Sequence, residues 1–374
     1  MLAMEIRIAS SEELISENAI SQIASQIDTC DEALKFLFFS SNYSIARMQN
    51  ALNQHFKSNI VACTTAGEIS PLGYSKNSVV AASIKSDLIK FKKYEINDLQ
   101  KFNIQDALEI FIDFEKNFGY NPNEVDKYFG ILVIDGMSYL EEKIIALLAK
   151  VFSPMQIVGG SAGDDSNFVE TYIFNGGELR HNTASFVLVR SDVPFRTFKT
   201  QYFVPTDKKV IVTEANPKKR IIYEINGERA AIEYANILNI PIEELNANTF
   251  AKHPLMIAIG GNWYVRSISH MNDDFSLTFF SAIDVGLVLN IANTTDVFGN
   301  YRSLKQNLVE ELGELSFLLC FDCIQRRQQL EQDGLLEKVA SIFSNDKLIG
   351  FSTYGEQYRG MHVNQTLTGV AFGK

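Results

Sequence analysis

One pattern occurs three times along the chain, and this repetition limits the possible folds more than any other feature. Each copy has an apolar segment, an amphipathic segment, a second apolar segment, a polar turn and a final apolar segment. The turns read Thr65-Ala66-Gly67-Glu68, Ser161-Ala162-Gly163-Asp164 and Thr353-Tyr354-Gly355-Glu356. A hydroxyl, a spacer, a glycine and an acid therefore recur in the same order. The repetition predicts three duplicated β-α-β-turn-β units.

Within each unit the apolar segments predict strands and the amphipathic segment predicts a helix. In the first unit the predicted strand, helix and strand are 34–39, 44–56 and 59–63. In the second unit they are 129–135, 139–152 and 156–158. In the third unit they are 316–321, a long helix ending near 343, and 347–351. Further strands are predicted at 78–84, 171–174, 185–190 and 366–372. The segments 129–134 and 315–321 are almost continuously apolar, as in strands buried on both faces. We expect an α/β (α+β) fold in which helices cover mixed sheets.

The segment 254–283 has a different pattern. Its short apolar stretches are separated by Gly260-Gly261-Asn262 and by Asn272-Asp273-Asp274, which predicts an antiparallel meander. Four of the eight prolines lie nearby, at Pro194, Pro205, Pro217 and Pro241. With 374 residues the chain is long enough for about two or three domains. We therefore predict two domains, residues 1–205 and 206–374, with the junction near 205–219.

Composition excludes several classes of protein. The formal net charge is −11, and the longest basic run, Lys218-Lys219-Arg220, is interpreted as a solvated turn, so nucleic acid is not an expected partner. The sequence has no run of about 18 apolar residues and no signal-peptide pattern at its start, so a membrane span is not expected. Four cysteines are too few for a disulfide framework. The expected location is the cytoplasm.

The recurring turns are the first candidate for a ligand site. Glycine permits a positive φ or a close backbone approach, while hydroxyls and carboxylates can bind turn amides. The turns could simply join one strand to the next, but three copies meeting at one end of the sheets favour a ligand site. The candidate ligand-binding residues around them are Thr64, Thr65, Gly67, Glu68, Gly160, Ser161, Gly163, Asp164, Tyr354 and Glu356.

Several stretches resemble one family. The stretches 61–68 (VACTTAGE) and 158–165 (VGGSAGDD) are similar to two signatures of the FIST N-terminal domain. The stretch 264–268 (YVRSI) resembles an early motif of the FIST C-terminal domain, and 323–326 (CIQR) resembles its Cys-x-x-Arg stretch. The end of the chain, 350–372, resembles the end of that domain. The resemblance spans about residues 30–374 and adds Cys323, Arg326 and Asn364 to the candidate ligand-binding residues.

The resemblance implies a sensory, ligand-binding module of signal transduction. We expect a stand-alone sensor whose output is a separate protein, such as a histidine kinase or a cyclic-dinucleotide signalling enzyme, and which could form a homo-oligomer. The stretch 355–366 is similar to a branch of the family that binds haem and senses nitric oxide. Haem is therefore a candidate cofactor, with His362 as the candidate iron ligand. Alternatively, His362 hydrogen-bonds its own loop.

An enzyme is the remaining alternative. The Cys320-Phe321-Asp322-Cys323 stretch lacks the second cysteine pair that a zinc site commonly has. Cys323 at a strand-to-helix junction could have a lowered thiol pKa, with Arg326 one turn away, or could line a ligand pocket. Three hypotheses follow: a haem-based nitric oxide sensor, a sensor of another small molecule such as an amino acid, and an enzyme that uses the turn carboxylates or Cys323.

Overall fold

The computed structural model describes residues 4–374 and confirms the three units. The first unit contains β1 (Glu5–Ser11), α1 (Ser16–Gln26), β2 (Leu34–Ser40), α2 (Ile45–His55), β3 (Ile60–Thr65), β4 (Glu68–Ser70), β5 (Gly73–Ser75) and β6 (Val79–Lys85). The second contains β7 (Ile89–Ile96), α3 (Ile104–Phe118), a 3-10 helix (Pro122–Lys127), β8 (Tyr128–Ile134), α4 (Glu141–Phe152), β9 (Gln156–Ser161), β10 (Ile173–Asn175), β11 (Glu178–Arg180) and β12 (Ala184–Ser191). Both follow the same order of elements.

The third unit begins with β13 (Phe195–Thr200) and is then interrupted by an inserted domain. The inserted domain contains β14 (Phe203–Asn216), a 3-10 helix (Pro217–Lys219), β15 (Ile221–Ile225), β16 (Glu228–Arg229), α5 (Ala230–Leu238), a 3-10 helix (Ile242–Glu244), α6 (Ala247–Lys252), β17 (Leu255–Ile259), β18 (Asn262–Arg266), β19 (Ile268–Met271), β20 (Leu277–Phe279) and β21 (Val288–Thr294). The third unit resumes with α7 (Val297–Leu312), β22 (Leu315–Cys323), α8 (Ile324–Gln332), α9 (Leu336–Phe343), β23 (Leu348–Thr353), β24 (Glu356–Tyr358), β25 (Met361–Val363) and β26 (Leu367–Gly373).

Each unit builds a six-stranded sheet and takes the last two strands from another unit. The strand orders are β1-β6-β2-β3-β10-β11, β7-β12-β8-β9-β24-β25 and β13-β26-β22-β23-β4-β5. The central pairs β2/β3, β8/β9 and β22/β23 are parallel, as their helical crossovers require. The hairpin that follows each turn thus joins the sheet of a different unit, and the three exchanges close a cycle.

The main core lies between the three sheets. Phe38 of β2, Phe129 of β8 and Phe321 of β22 all belong to one buried cluster. The helices cover the outer faces and form separate clusters there. This arrangement buries both faces of the central strands, which explains their continuous apolar runs. The expected fold of helices covering mixed sheets is therefore confirmed.

The inserted domain is mostly antiparallel and has its own core. The hairpin of β17 and β18 confirms the first part of the expected meander, whereas β20 pairs with β19 and β15. Residues 205–219, where the junction is expected, form most of β14 and the 3-10 helix after it. The chain enters and leaves the inserted domain between β13 and β14 and between β21 and α7.

Two further observations concern the whole chain. The sheets cross the division between residues 1–205 and 206–374, because β4 pairs with β23 and β9 pairs with β24. That division along the sequence stays a prediction. Within residues 4–374, no helix combines the length and apolar character needed to cross a membrane.

Candidate functional site

The three recurring turns meet and hydrogen-bond to one another. We call residues 64–68, 161–164 and 352–356 the turn node. The Gly163 amide donates to the Thr64 carbonyl at 3.1 Å, linking the second turn to the first. The Ala66 amide donates to the Ser352 carbonyl at 3.0 Å, and the Ser161 amide donates to the Gly355 carbonyl at 2.8 Å. The expected gathering of the turns at one end of the sheets is confirmed.

Glycine at position 67 is required by both conformation and space. Its φ is +124°, and a Cβ there would lie 1.3 Å from Nη1 of Arg327. This Arg327 nitrogen donates to the Ala66 carbonyl at 2.5 Å and so ties α8 to the node. Sequence reasoning missed Arg327, because its role depends on contact between units far apart in the chain.

The first and third turns use their acids in the same way. Glu68 accepts hydrogen bonds from the Thr65 hydroxyl at 2.5 Å and from the Ser78 hydroxyl at 2.6 Å. Glu356 accepts equivalent bonds from the Thr353 and Thr366 hydroxyls. Burial raises the pKa of Glu68 to about 7 and the pKa of Glu356 to about 8. In this structure each carboxyl group binds the residue just before the last strand of its own unit, β6 or β26.

The second turn uses its acid differently. Asp164 accepts hydrogen bonds from the backbone amides of Phe168 at 2.9 Å, Val169 at 2.8 Å and Glu170 at 2.9 Å. It also accepts one from the Tyr354 hydroxyl of the third turn. Asp164 therefore fixes the 165–170 loop against the turn node.

A cavity of about 570 Å³ lies between the turn node and the inserted domain. Its lining comes from the start of α4, the 165–170 loop, the 3-10 helix before β15, the β19–β20 hairpin and the turn node. The residues are Gly136, Met137, Tyr139, Glu141, Phe168, Lys218, Lys219, Arg220, Ser269, His270, Thr278, Phe279, Phe280 and Tyr354. We call this space the interdomain cavity. Among the described residues that line it, Tyr354 is the one that the sequence predicts as a candidate ligand-binding residue.

Aromatic rings form one side of the interdomain cavity. The ring of Phe168 stacks on that of Tyr354, with centroids 4.4 Å apart and an interplanar angle of 25°. The ring of Phe280, from the inserted domain, lies 5.6 Å from Phe168. The aromatic contact therefore connects the 165–170 loop, the turn node and the inserted domain.

Three bulky residues with left-handed backbone conformations line this cavity. Tyr139, Phe168 and Arg220 all line it, with φ values of +57°, +54° and +55°. This left-handed region is uncommon for bulky residues and persists only where the surrounding structure enforces it. Such strain is typical of functional sites. None of the three residues is a glycine or part of a recognised motif, so their left-handed conformations could not be predicted from the sequence.

Arg220 fastens the inserted domain to the start of α4. One guanidinium nitrogen, Nη2, lies 2.9 Å from Glu141 Oε2 and 2.6 Å from Glu142 Oε2. The other, Nη1, donates to the Phe280 carbonyl at 2.6 Å, while Glu142 accepts from the Ala282 amide at 2.6 Å. Burial raises the pKa of Glu141 to about 7. The interpretation of 218–220 as a solvated turn is wrong for Arg220, which is buried.

A buried polar layer lies behind Phe280. Its members carry a side-chain atom with no hydrogen-bond partner among the described residues: Arg266 Nε, Ser267 Oγ, Ser281 Oγ, Gln325 Oε1, Gln357 Oε1, His362 Nε2 and Asn364 Oδ1. The Phe280 amide donates to the Ser267 carbonyl at 3.0 Å, which places Ser267 next to one residue of the cavity lining. Buried polar groups normally have partners, so this layer suits polar groups of a ligand or ordered water.

His362 lies in this layer and does not line the interdomain cavity. Burial lowers its pKa to about 4, and its Nδ1 lies 3.3 Å from Gln357 Nε2. A Cβ on Gly355 would lie 2.6 Å from His362 Nε2, so this edge of the ring faces the turn node. The alternative of a histidine packed in its own loop matches these contacts.

Several other candidate residues contact neighbouring parts of the fold. Thr64 accepts the Tyr172 amide, Ser161 accepts Gln357 Nε2, Gly160 packs against Thr353, and Asn364 lies beside Gly355. Arg326 is fully buried, pairs with Asp322 at 2.7 Å and lies between the rings of Tyr202 and Tyr301.

The expectation of a lowered thiol pKa at Cys323 is wrong. The residue caps α8 but is 2% exposed, and burial, followed by the negative charge of Glu356, raises its pKa well above the usual value. Among residues 4–374, no group of three or more histidines, cysteines or acids is arranged to hold a metal ion.

Comparison with protein families accounts for nearly the whole chain. Residues 33–228 match the FIST N domain, and residues 230–359 match the FIST C domain. The chain belongs to the FIST family. FIST domains are sensory domains of signal transduction, which confirms the coarse function implied by the resemblance. The FIST N match includes the cavity residues from Gly136 to Arg220, and the FIST C match includes those from Ser269 to Tyr354. The interdomain cavity therefore lies between the two FIST domains.

One relative is an uncharacterized protein of Methanocaldococcus jannaschii, MJ1623. It is 24% identical over 282 residues, which cover 66% of this chain and 54% of the relative. The chain thus spans about half the length of the relative it matches.

Proposed function

We propose that this FIST protein senses a small molecule that binds in the interdomain cavity and reports its presence through the turn node. The convergence of Tyr139, Phe168 and Arg220, all with left-handed backbones, on a cavity between both FIST domains carries the proposal. Its volume of about 570 Å³ falls in the range of small-molecule sites.

The contacts around Phe168 supply a route for the signal. Phe168 contacts the inserted domain through Phe280 and the third turn through Tyr354, whose hydroxyl binds Asp164 of the second turn. A ligand that moves Phe168 therefore changes contacts in the turn node, where all three units meet. A sensor requires that its ligand bind one arrangement of this loop more tightly than another.

A substitution that fills the interdomain cavity tests the proposal. Ser269 lines the cavity, so Ser269→Trp should abolish thermal stabilisation by any member of a metabolite panel that stabilises the natural protein. Ser303→Trp, on the exposed side of α7, is the matched control and should retain the shift. Equal stabilisation of both variants would contradict a ligand in this cavity. The panel includes amino acids, which are the alternative ligand class.

Haem sensing of nitric oxide is a finer proposal, which rests on the resemblance of residues 355–366. His270 lines the interdomain cavity and is exposed, whereas His362 is buried. Haem reconstitution followed by absorbance in the Soret region tests it. Loss of the band in His362→Ala would support the sequence-based assignment, and loss in His270→Ala would support an iron in the cavity. No band beyond that of free haem would contradict haem binding.

We further propose that the output is a separate protein, a histidine kinase or a cyclic-dinucleotide signalling enzyme, in the cytoplasm. The support is the resemblance to FIST sensors. Affinity purification of the tagged protein from its own cells, compared with a Ser269→Trp version, tests this step. Recovery of neither class of enzyme would contradict the proposed output.

A further inference from the structure

The wall of the interdomain cavity is basic although the protein as a whole is acidic. Lys218, Lys219 and Arg220 line it, and Glu141 is the one acid among the described lining residues. Arg220 is paired with Glu141 at 2.9 Å and with Glu142 at 2.6 Å, so the surplus positive charge of the wall lies on Lys218 and Lys219. Neither lysine ammonium lies within 4.0 Å of a carboxylate in the part of the chain that is described. Uncompensated positive charge in a cleft favours an anionic ligand.

The cavity lining also includes aromatic side chains that are only partly covered. Phe168 is 37% exposed and Tyr139 is 57% exposed, although both have strained backbones. Phe168, Tyr354 and Phe280 form a continuous row of rings. A planar ligand would cover the remaining aromatic surface, and stacking on such rings stabilises a complex without requiring hydrogen bonds.

We propose that the ligand is an aromatic anion, whose ring packs on Phe168 and whose carboxylate or phosphate binds Lys218 and Lys219. This inference rests on the proposed sensory function and specifies the class of its ligand.

Isothermal titration calorimetry with four probes tests the two parts of this inference. AMP and indole-3-acetate carry a ring with a phosphate or a carboxylate, adenosine carries the ring alone, and inorganic phosphate carries the charge alone. At least one of the first two should bind roughly tenfold more tightly than adenosine and phosphate. The comparison between AMP and indole-3-acetate shows which anionic group the site prefers. Failure of both aromatic anions to bind would overturn the inference.

Variants locate the binding. The K218A/K219A double variant should weaken the aromatic anion roughly tenfold. The exposed lysines Lys90 and Lys116 provide a double alanine control with the same change in net charge and unchanged affinity. Equal affinities of the two double variants would overturn the assignment of the anion to Lys218 and Lys219.

Phe168→Ala should also weaken binding, whereas the neighbouring Val169→Ala, which removes a 72% exposed side chain, should not. A neutral compound whose binding is lost in Ser269→Trp but kept in K218A/K219A would overturn the anion while leaving the sensor proposal intact. Binding that survives Ser269→Trp would instead contradict the cavity itself.

Discussion

At the scale of single residues, the buried acids Glu68 and Glu356 hold the turn node in place through hydrogen bonds. Glu356 accepts hydrogen bonds from two hydroxyls and from the Thr366 amide while shielded from water. Burial of a carboxyl group favours its neutral form, since the charged form loses its hydration. Glu68 occupies the equivalent position in the first unit. These acids therefore link the stability of the node to pH.

The pH dependence of stability follows from the sign of this shift. The pKa of Glu356 rises from 4.5 to about 8 on folding, so its favourable contribution is present at low pH and disappears as pH rises through 8. Glu356→Gln keeps a neutral group that can both donate and accept. We expect it to reduce the fall in unfolding free energy between about pH 5 and 8 by on the order of 2 kcal/mol.

Urea unfolding at several pH values measures this effect. Burial lowers the pKa of His362 to about 4, so His362 makes stability rise with pH, opposite to Glu356. This contribution is present in both proteins and cancels when the profile of Glu356→Gln is subtracted from that of the natural protein. Glu228→Gln, at an exposed position, is the control and should leave the slope unchanged. A Glu356→Gln profile parallel to that of the natural protein would show that Glu356 does not titrate in this range.

At the scale of elements, the 165–170 loop depends on one side chain. Asp164 binds three consecutive loop amides near Phe168, together with the Tyr354 hydroxyl. Asp164→Ala removes these acceptors, and we expect a loss of about 1–3 kcal/mol and faster amide exchange at 168–170. Asp165→Asn is the matched control, since its carboxylate contacts Ser41 and Asn42 at 3.2 and 3.4 Å and asparagine tolerates its φ of +59°. Unchanged exchange at 168–170 in Asp164→Ala would contradict this role.

Many of these elements could be predicted from local sequence. The strands 34–39 and 129–135 are bounded almost as expected, because each is a continuous apolar run next to a turn. The long helix expected to end near 343 is divided into α8 and α9, with Gly334 in a left-handed conformation between them. Hairpin exchange between units could not be predicted, because strand pairing between units is a long-range contact without a local signal.

The same reason limited the prediction of the site. The recurring turns were found, and they do meet, but the cavity beside them depends on residues of the inserted domain. Lys218 and Arg220 belong to a short basic run, and its sequence gives no indication that Arg220 turns inward to bind Glu141. The left-handed backbone at Phe168 is likewise a consequence of the Asp164 contacts rather than of residue type.

At the scale of the molecule, the three units depend on one another while the inserted domain is an addition. A fragment ending at residue 228 lacks Phe317, Phe321, Phe351 and Phe372, which complete the core between the sheets. It also leaves the β4–β5 hairpin without β23. We expect this fragment to lack a cooperative thermal transition. A sharp transition like that of the intact chain would contradict the cyclic exchange of hairpins.

Deleting the inserted domain provides the complementary experiment. The Thr295 amide donates to the Tyr202 carbonyl at 2.7 Å, so the two ends of the insertion are adjacent. A short Gly-Ser linker in place of residues 203–294 should therefore keep the three sheets and a cooperative unfolding transition. We expect that transition at a lower temperature, because the deletion also removes Phe203, Met256, Val265 and Ala292 from the core cluster of the third unit. The deletion removes Ser269, His270 and Phe280 from the cavity, and it should abolish ligand binding. Loss of cooperative folding would show that the units require the inserted domain.

The central claim, that a ligand binds between the two FIST domains, is tested most directly by hydrogen exchange with mass spectrometry. The natural protein is compared with and without the compound that stabilises it most. We expect protection at 136–142, 164–170, 218–220 and 268–280, and no such protection in Ser269→Trp. Protection confined to another part of the chain, such as the separate cavity lined by Thr206, Asn248 and His253, would contradict the claim.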